Sequence, residues 1–222
     1  MVTVAALNIR FIGRCQDQII DEFNPEVILL EPEASPTKGA SAGMAKLIVT
    51  SRDLTYRRQT VLALKRAVPQ ARIKSTAFRA IFTIEAEADP KELAKRVYQE
   101  CSRQIGHLTA VLYEVESSFD SIMEAAVAVG LEHIGEHEQF SFRLYKRGAH
   151  RLEQDTPKIE YEIGGQIWQA LKGKYGIRPK VNLTDPEVAV IAEVLGPITA
   201  VGIWRKDWQA SCPSHPDESI SK

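Results

Sequence analysis

Three cysteines in 222 residues, Cys15, Cys101 and Cys212, are too few and too far apart for a disulfide framework or a zinc knuckle. They fit reduced thiols in a cytoplasmic protein. No apolar run approaches the roughly 18 uninterrupted residues of a membrane span. Met1 to Leu7 is apolar but short, lacks a basic start and meets no small-residue cleavage site, so no secretory signal is expected. Catalytic signatures are also missing. No glycine-rich phosphate loop follows a strand, no G-x-S-x-G elbow occurs, and no cysteine pair offers itself for sulfur transfer. What remains is a globular composition, 44% hydrophobic and 26% charged, with length for one large or two small domains.

Net charge is also nearly absent, at -1, which would argue against a nucleic-acid binder if charge were spread evenly. It is not. Residues 1–43 carry 3 basic and 6 acidic side chains, and residues 44–113 carry 13 and 6. Residues 114–140 carry none and 7, residues 141–206 carry 11 and 7, and the remainder 1 and 3. Two basic blocks flank an acidic one, and a polyanion responds to that local distribution.

Residues 1–34 read as strand, helix and strand, followed by a linker rich in proline, serine, alanine and glycine that ends at Gly43. Met44 comes next, so residues 1–43 are expected to be an extension and linker outside the fold, with Met44 a candidate start. From there Lys46–Thr50 is a strand, and Ser51 or Thr55 can cap a helix that Pro69 ends. Ala71–Ser75 and Phe78–Ile84 form a strand pair. Asp89 caps a second helix with Pro90 at its first position, and His107–Val115 is the closing strand. This β-α-β-β-α-β order predicts a ferredoxin-like domain over 44–115.

Residues 117–134 form the next helix, with Phe119, Ile122, Ala126 and Val129 at core spacing and the acidic surplus outside. Phe140, Phe142 and Leu144 then alternate with Ser141, Arg143 and Tyr145, the period of a strand with one apolar face. That strand leaves through Lys146, Arg147, His150 and Arg151. Thr156 caps another helix, with Pro157 first and Ile159, Ile163, Ile167 and Leu171 facing the core; Gly164 is expected to admit a close neighbour. A short strand at 180–183, a turn at 184–187 and two strands, 188–195 and 199–204, complete a fold expected to end at Lys206. Residues 207–222 have a disordered tail's composition.

Four phrases in this order carry a resemblance: Phe142-Arg143-Leu144-Tyr145-Lys146-Arg147-Gly148-Ala149-His150; Ile159-Glu160-Tyr161-Glu162-Ile163-Gly164; Val181 to Glu187; and Ala192-Glu193-Val194 with Val201-Gly202-Ile203. Together they resemble the THUMP domain, an RNA-binding module of tRNA-modifying proteins. Asn182 and Glu187 stand where the family usually has Asp, at positions that look like turn chemistry. With Lys46 to Ser51 and Thr76-Ala77-Phe78-Arg79, the chain is most similar to the stand-alone adaptors that assist an RNA cytidine acetyltransferase in making 4-acetylcytidine in the tRNA D-arm. The resemblance implies an α+β protein, a ferredoxin-like domain followed by a THUMP domain over 116–206, with no active site or cofactor of its own. It implies tRNA, not DNA, as ligand and the acetyltransferase as partner.

The residues themselves point the same way. Arg143, Lys146, Arg147, His150, Arg151, Lys180 and Arg79 are the expected RNA contacts, since Arg and Lys bind phosphate and structured RNA offers mostly backbone and shape. If about five of them meet phosphates, log affinity should fall against log salt with a slope of roughly -3 to -5. His150 is expected to orient its turn, having no nucleophile paired with it. His133-Ile134-Gly135-Glu136-His137 matches the H-x-x-E-H of a zinc peptidase, but Gly135 interrupts it and no third ligand follows. It reads as a solvated helix end, and no metal is expected. The acidic helix is the expected partner surface. Methylation or thiolation would need a further catalytic domain of roughly 150 residues. Two alternatives stay open: a subunit of such an enzyme, and an rRNA-binding ribosome-assembly protein.

Overall fold

The computed structural model describes residues 44–53, 55 and 57–209. The elements expected in 1–43, the tail beyond 209, Cys15 and Cys212 lie outside the described residues.

The described chain runs β1 (Met44–Ser51), α1 (Arg57–Ala67), β2 (Arg72–Ser75), β3 (Ile81–Glu87), α2 (Pro90–Cys101), β4 (Ile105–Glu116), α3 (Phe119–His133), β5 (Gln139–Arg147), α4 (Thr156–Tyr175), β6 (Lys180–Val181), β7 (Val188–Leu195) and β8 (Ile198–Arg205). Asp89 caps α2, its Oδ1 accepting from the backbone N–H groups of Lys91 and Glu92 at 3.0 Å. Ser118 caps α3 by accepting from Ser121. At α4 the expected boundary moves by one residue, with Asp155 at the cap and Thr156 already helical. The fold also continues past Lys206, into a 3-10 turn that buries Trp208. An indole's apolar area outweighs the polar residues around it, which is why a composition-based boundary fell short.

All eight strands form one mixed sheet in the order β2-β3-β1-β4-β8-β7-β5-β6. Strand alternation sends Leu47, Val49, Leu108, Phe140, Phe142, Leu144, Val190 and Val201 to one face, where they join the apolar stripes of all four helices in a single core. On α4 that stripe is Ile159, Ile163, Ile167 and Leu171, as the four-residue spacing requires. The other face carries a smaller buried cluster of Ile48, Ile81, Val111 and Ala200, with Phe78 and Leu195 against it.

β4 makes the sheet continuous. Its residues 105–111 pair with β1, and its residues 110–116 pair with β8. The register shifts between Val111 and Tyr113, a bulge that turns the strand between its two neighbours. Gly202 lies opposite that bulge, where a Cβ would fall 1.9 Å from the Ala110 carbonyl oxygen. Between helices the close contact is at Gly130 of α3, whose added Cβ would lie 2.8 Å from Ile167 Cγ2. Gly164, expected to serve that purpose, would meet only Phe142 Cβ, at an ordinary 3.9 Å.

These distances predict opposite outcomes for two glycines. Gly202→Ala should cost about 3 kcal/mol or more, because backbone and not a flexible side chain stands in the way. Gly164→Ala should be neutral or stabilise by up to ~1 kcal/mol through helix propensity. Urea unfolding of the two variants checks both.

Candidate nucleic-acid interface

β5 presents Arg143, Tyr145 and Arg147 on the face opposite the helices, as its alternation requires. Three of the expected ligand contacts, Arg143, Lys146 and Arg147, are engaged with other groups of the fold. Arg147 Nη1 pairs with Oε2 of Glu193, a β7 carboxylate that is 0% exposed. The other oxygen of Glu193 accepts from His107 Nε2 of β4 at 2.7 Å, and that nitrogen also lies 3.2 Å from Thr50 Oγ1. His107 stacks on Tyr145 at 4.7 Å between ring centroids, and the Arg147 guanidinium sits 5.5 Å from the same ring. Burial first, and the Glu193 carboxylate second, push the Tyr145 phenol above its usual 10.0 against the pull of Arg143 and Arg147.

Arg143 donates to the Leu183 carbonyl and lies 3.6 Å from Glu160 Oε2. Glu160 also accepts the backbone N–H of Leu144 at 2.8 Å. β6 pairs with β5 only at residues 139 and 140, so this α4 carboxylate satisfies an edge amide that the short strand leaves uncovered. Lys146 Nζ donates to the Gln154 carbonyl and pins the loop after β5. Asn182 uses both ends of its amide. Oδ1 accepts from the N–H groups of Thr184 and Asp185, while Nδ2 donates to Gln139 Oε1 at 2.7 Å and to the Asp185 carbonyl. The last two bonds need an amide and could not be made by an ionised Asp.

The remaining expected contacts face outward. Arg151 is 86% exposed and reaches Glu116 at 3.2 Å, a surface pair of little strength. His150 lines a cleft with Glu116, Ser117, Arg151, Pro197 and Ile198, and its Nδ1 is buried without a hydrogen-bond partner. Gly148, at φ +77°, brings the two halves of the described chain together here. A Cβ on it would lie 2.8 Å from the Phe78 ring, so the loop that carries Arg79 rests on the exit from β5. Arg79 is exposed and lines a second cleft with Thr55, Arg57 and Ala80. Lys180 is exposed on the edge strand β6.

Glu193, Glu160 and His107 escaped the sequence reading as partners of these cations. One signal was available, a single acid inside the apolar run Val188–Leu195. The zinc-like motif straddles a helix end. α3 stops at His133 and Ile134 is already extended, so the two histidines do not share a helical face. Among the described residues, no group of three or more His, Cys, Asp or Glu gathers. Burial, with help from Glu100, pushes the Cys101 thiol up to about 12, which keeps it protonated and unreactive at neutral pH. No helix among the described residues is long and apolar enough to cross a membrane.

The ion pairs separate structural from free cations in a measurable way. Arg147→Ala leaves Glu193 buried with its charge half-compensated and should cost roughly 3 to 5 kcal/mol, whereas Arg151→Ala should leave urea stability unchanged within about 0.5 kcal/mol. Equal effects would contradict the assignment. Because the Tyr145 phenol is raised, the tyrosinate absorbance missing from Tyr145→Phe should have its midpoint above the usual 10.0 in an alkaline titration.

Several known proteins share this architecture. The chain resembles PH1313 from Pyrococcus horikoshii Ot3 at a TM-score of 0.51 and 16% identity, over 72% of this chain and 54% of that one. It resembles TrmN from Thermus thermophilus at 0.51 and 18%, over 72% and 45%. A 4-thiouridine synthetase in complex with RNA and bound ATP gives 0.51 and 16%, over 73% and 41%. At these identities the likeness shows the fold, and the chain spans between about two fifths and just over half of each structure. No curated protein matches the chain. The THUMP domain model matches residues 116–203, which take in α3, β5, α4, β6, β7 with Glu193, and most of β8, but not His107 or Thr50. Residues 116–203 are a THUMP domain.

Proposed function

We propose that this chain is a tRNA-binding adaptor that holds tRNA and presents it to a separate modifying enzyme, the product being 4-acetylcytidine in the D-arm. The THUMP domain over 116–203 carries the reading, because that module resembles the RNA-binding part of tRNA-modifying proteins. The similar 4-thiouridine synthetase was captured with RNA, which supports RNA as the ligand here. The acetylation assignment rests on the Lys46 to Ser51 and Thr76 to Arg79 phrases. Residues 44–115 are read as the ferredoxin-like companion, a reading supported by their β-α-β-β-α-β order and by the strand order β2-β3-β1-β4.

The partner enzyme is assigned to the outer side of α3. Asp120, Glu124 and Glu132 recur at multiples of four residues and are exposed, opposite the buried Ile122, Ala125, Ala126 and Val129. A single-sign stripe of this kind repels RNA and suits a basic protein surface. One observation favours a second reading. The chain covers only 45% of TrmN and 41% of the 4-thiouridine synthetase, so the same RNA-binding unit could serve a methylating or thiolating assembly.

Gel-shift titration should show tRNA bound more tightly than duplex DNA of equal length, with Arg151→Ala/Lys180→Ala weakening tRNA by about tenfold at moderate salt. Equal affinity for the two nucleic acids would remove the tRNA reading. Mapping tRNA modifications in a strain lacking the protein should show loss of D-arm 4-acetylcytidine; loss of a methyl or thio group would instead select the second reading. Glu124→Lys/Glu132→Lys should abolish co-purification with the acetyltransferase, and unchanged recovery would remove α3 as the docking surface.

A further inference from the structure

The cations of β5 are tied to carboxylates and carbonyls of the fold, and the free ones lie elsewhere. α1 carries Arg57, Arg58, Lys65 and Arg66 and no acidic residue. All four are exposed, and none has a carboxylate partner among the described residues; the same holds for Arg79. Helical geometry at about 100° per residue turns Arg58, Lys65 and Arg66 away from the buried stripe of Thr60, Leu64 and Ala67, while Arg57 stands at the start of the helix, nearer that stripe. Arg57 and Arg79 line the same cleft, so the row continues from the helix onto the loop between β2 and β3.

We infer that Arg57, Arg58, Lys65, Arg66 and Arg79 form the phosphate-contacting track for RNA. The inference rests on the proposal that the chain binds RNA and names the surface that supplies most of the affinity. Three properties favour a phosphate backbone over an acidic protein. Four of the five cations are Arg, whose planar fork matches phosphate oxygens. From Arg57 to Arg66 the helix rises about 13 Å, roughly four base-pair steps of a nucleic-acid strand. An unpaired cation can neutralise a phosphate without first giving up a partner, whereas Arg147 would have to abandon buried Glu193.

Fluorescence anisotropy of the full-length protein with an unmodified tRNA transcript, repeated between about 50 and 200 mM salt, tests the inference. Arg58→Ala/Lys65→Ala/Arg66→Ala should weaken binding by roughly 10-fold to 100-fold at low salt and make the log-log slope shallower by about 2 to 3. Its melting curve should match wild type, because these side chains hold nothing in the fold. If the triple Ala variant does not fold, the triple Gln variant at the same positions carries the same prediction. Wild-type affinity and slope in a folded triple variant would overturn the α1 track and leave the RNA reading standing. Failure of the wild-type protein to bind the transcript at any salt would overturn the RNA reading, and this inference with it.

Discussion

The carboxylate of Glu193 holds together what the sequence presents as separate pieces. It sits on β7 at 0% exposure, takes His107 of β4 on one oxygen and Arg147 of β5 on the other, and so spans strands on both sides of β8. A buried charge with one partner would be a liability; with two donors and the Tyr145 ring beside them it becomes a tie across the four adjacent strands β4-β8-β7-β5. That tie decides the role of Arg147. A guanidinium that must answer a buried acid is part of the fold before it can be part of a ligand site.

The other joint is steric. β4 belongs to both halves of the described chain, pairing with β1 along one stretch and with β8 along the next, and the bulge that permits this brings backbone against Gly202. Polar and steric joints thus bring about one continuous surface, on which the Arg79 loop touches the exit from β5 through Phe78 and Gly148. Function follows from what the joints leave unused. The cations of β5 are tied to the fold, whereas Arg57, Arg58, Lys65, Arg66 and Arg79 have no carboxylate partner among the described residues.

Most of the architecture was legible in the residues. The four-residue spacing on α4, the alternation on β5 and the Asp89-Pro90 start of α2 each have one physical solution, and the chain adopts it. Local pattern could not reveal long-range partners. Glu193 and Arg147 are 46 residues apart and His107 is 86 from Glu193, distances at which sequence carries no pairing signal. Hence the engagement of Lys146 and Arg147 within the fold was not visible, and Gly164 looked important when Gly202 and Gly130 carry the close contacts. The α1 cations were visible as charge, but their value lies in lacking partners, which only a structure can show.

The central claim is that RNA is gripped by cations the fold leaves unpaired, while those of β5 serve the fold. Hydrogen–deuterium exchange of the full-length protein with and without tRNA tests this most directly. Slowed exchange on adding tRNA in Arg57–Ala67 and in the loop between Ser75 and Ile81 is the predicted result. Exchange unchanged in both segments while other parts of the described chain become protected would contradict it.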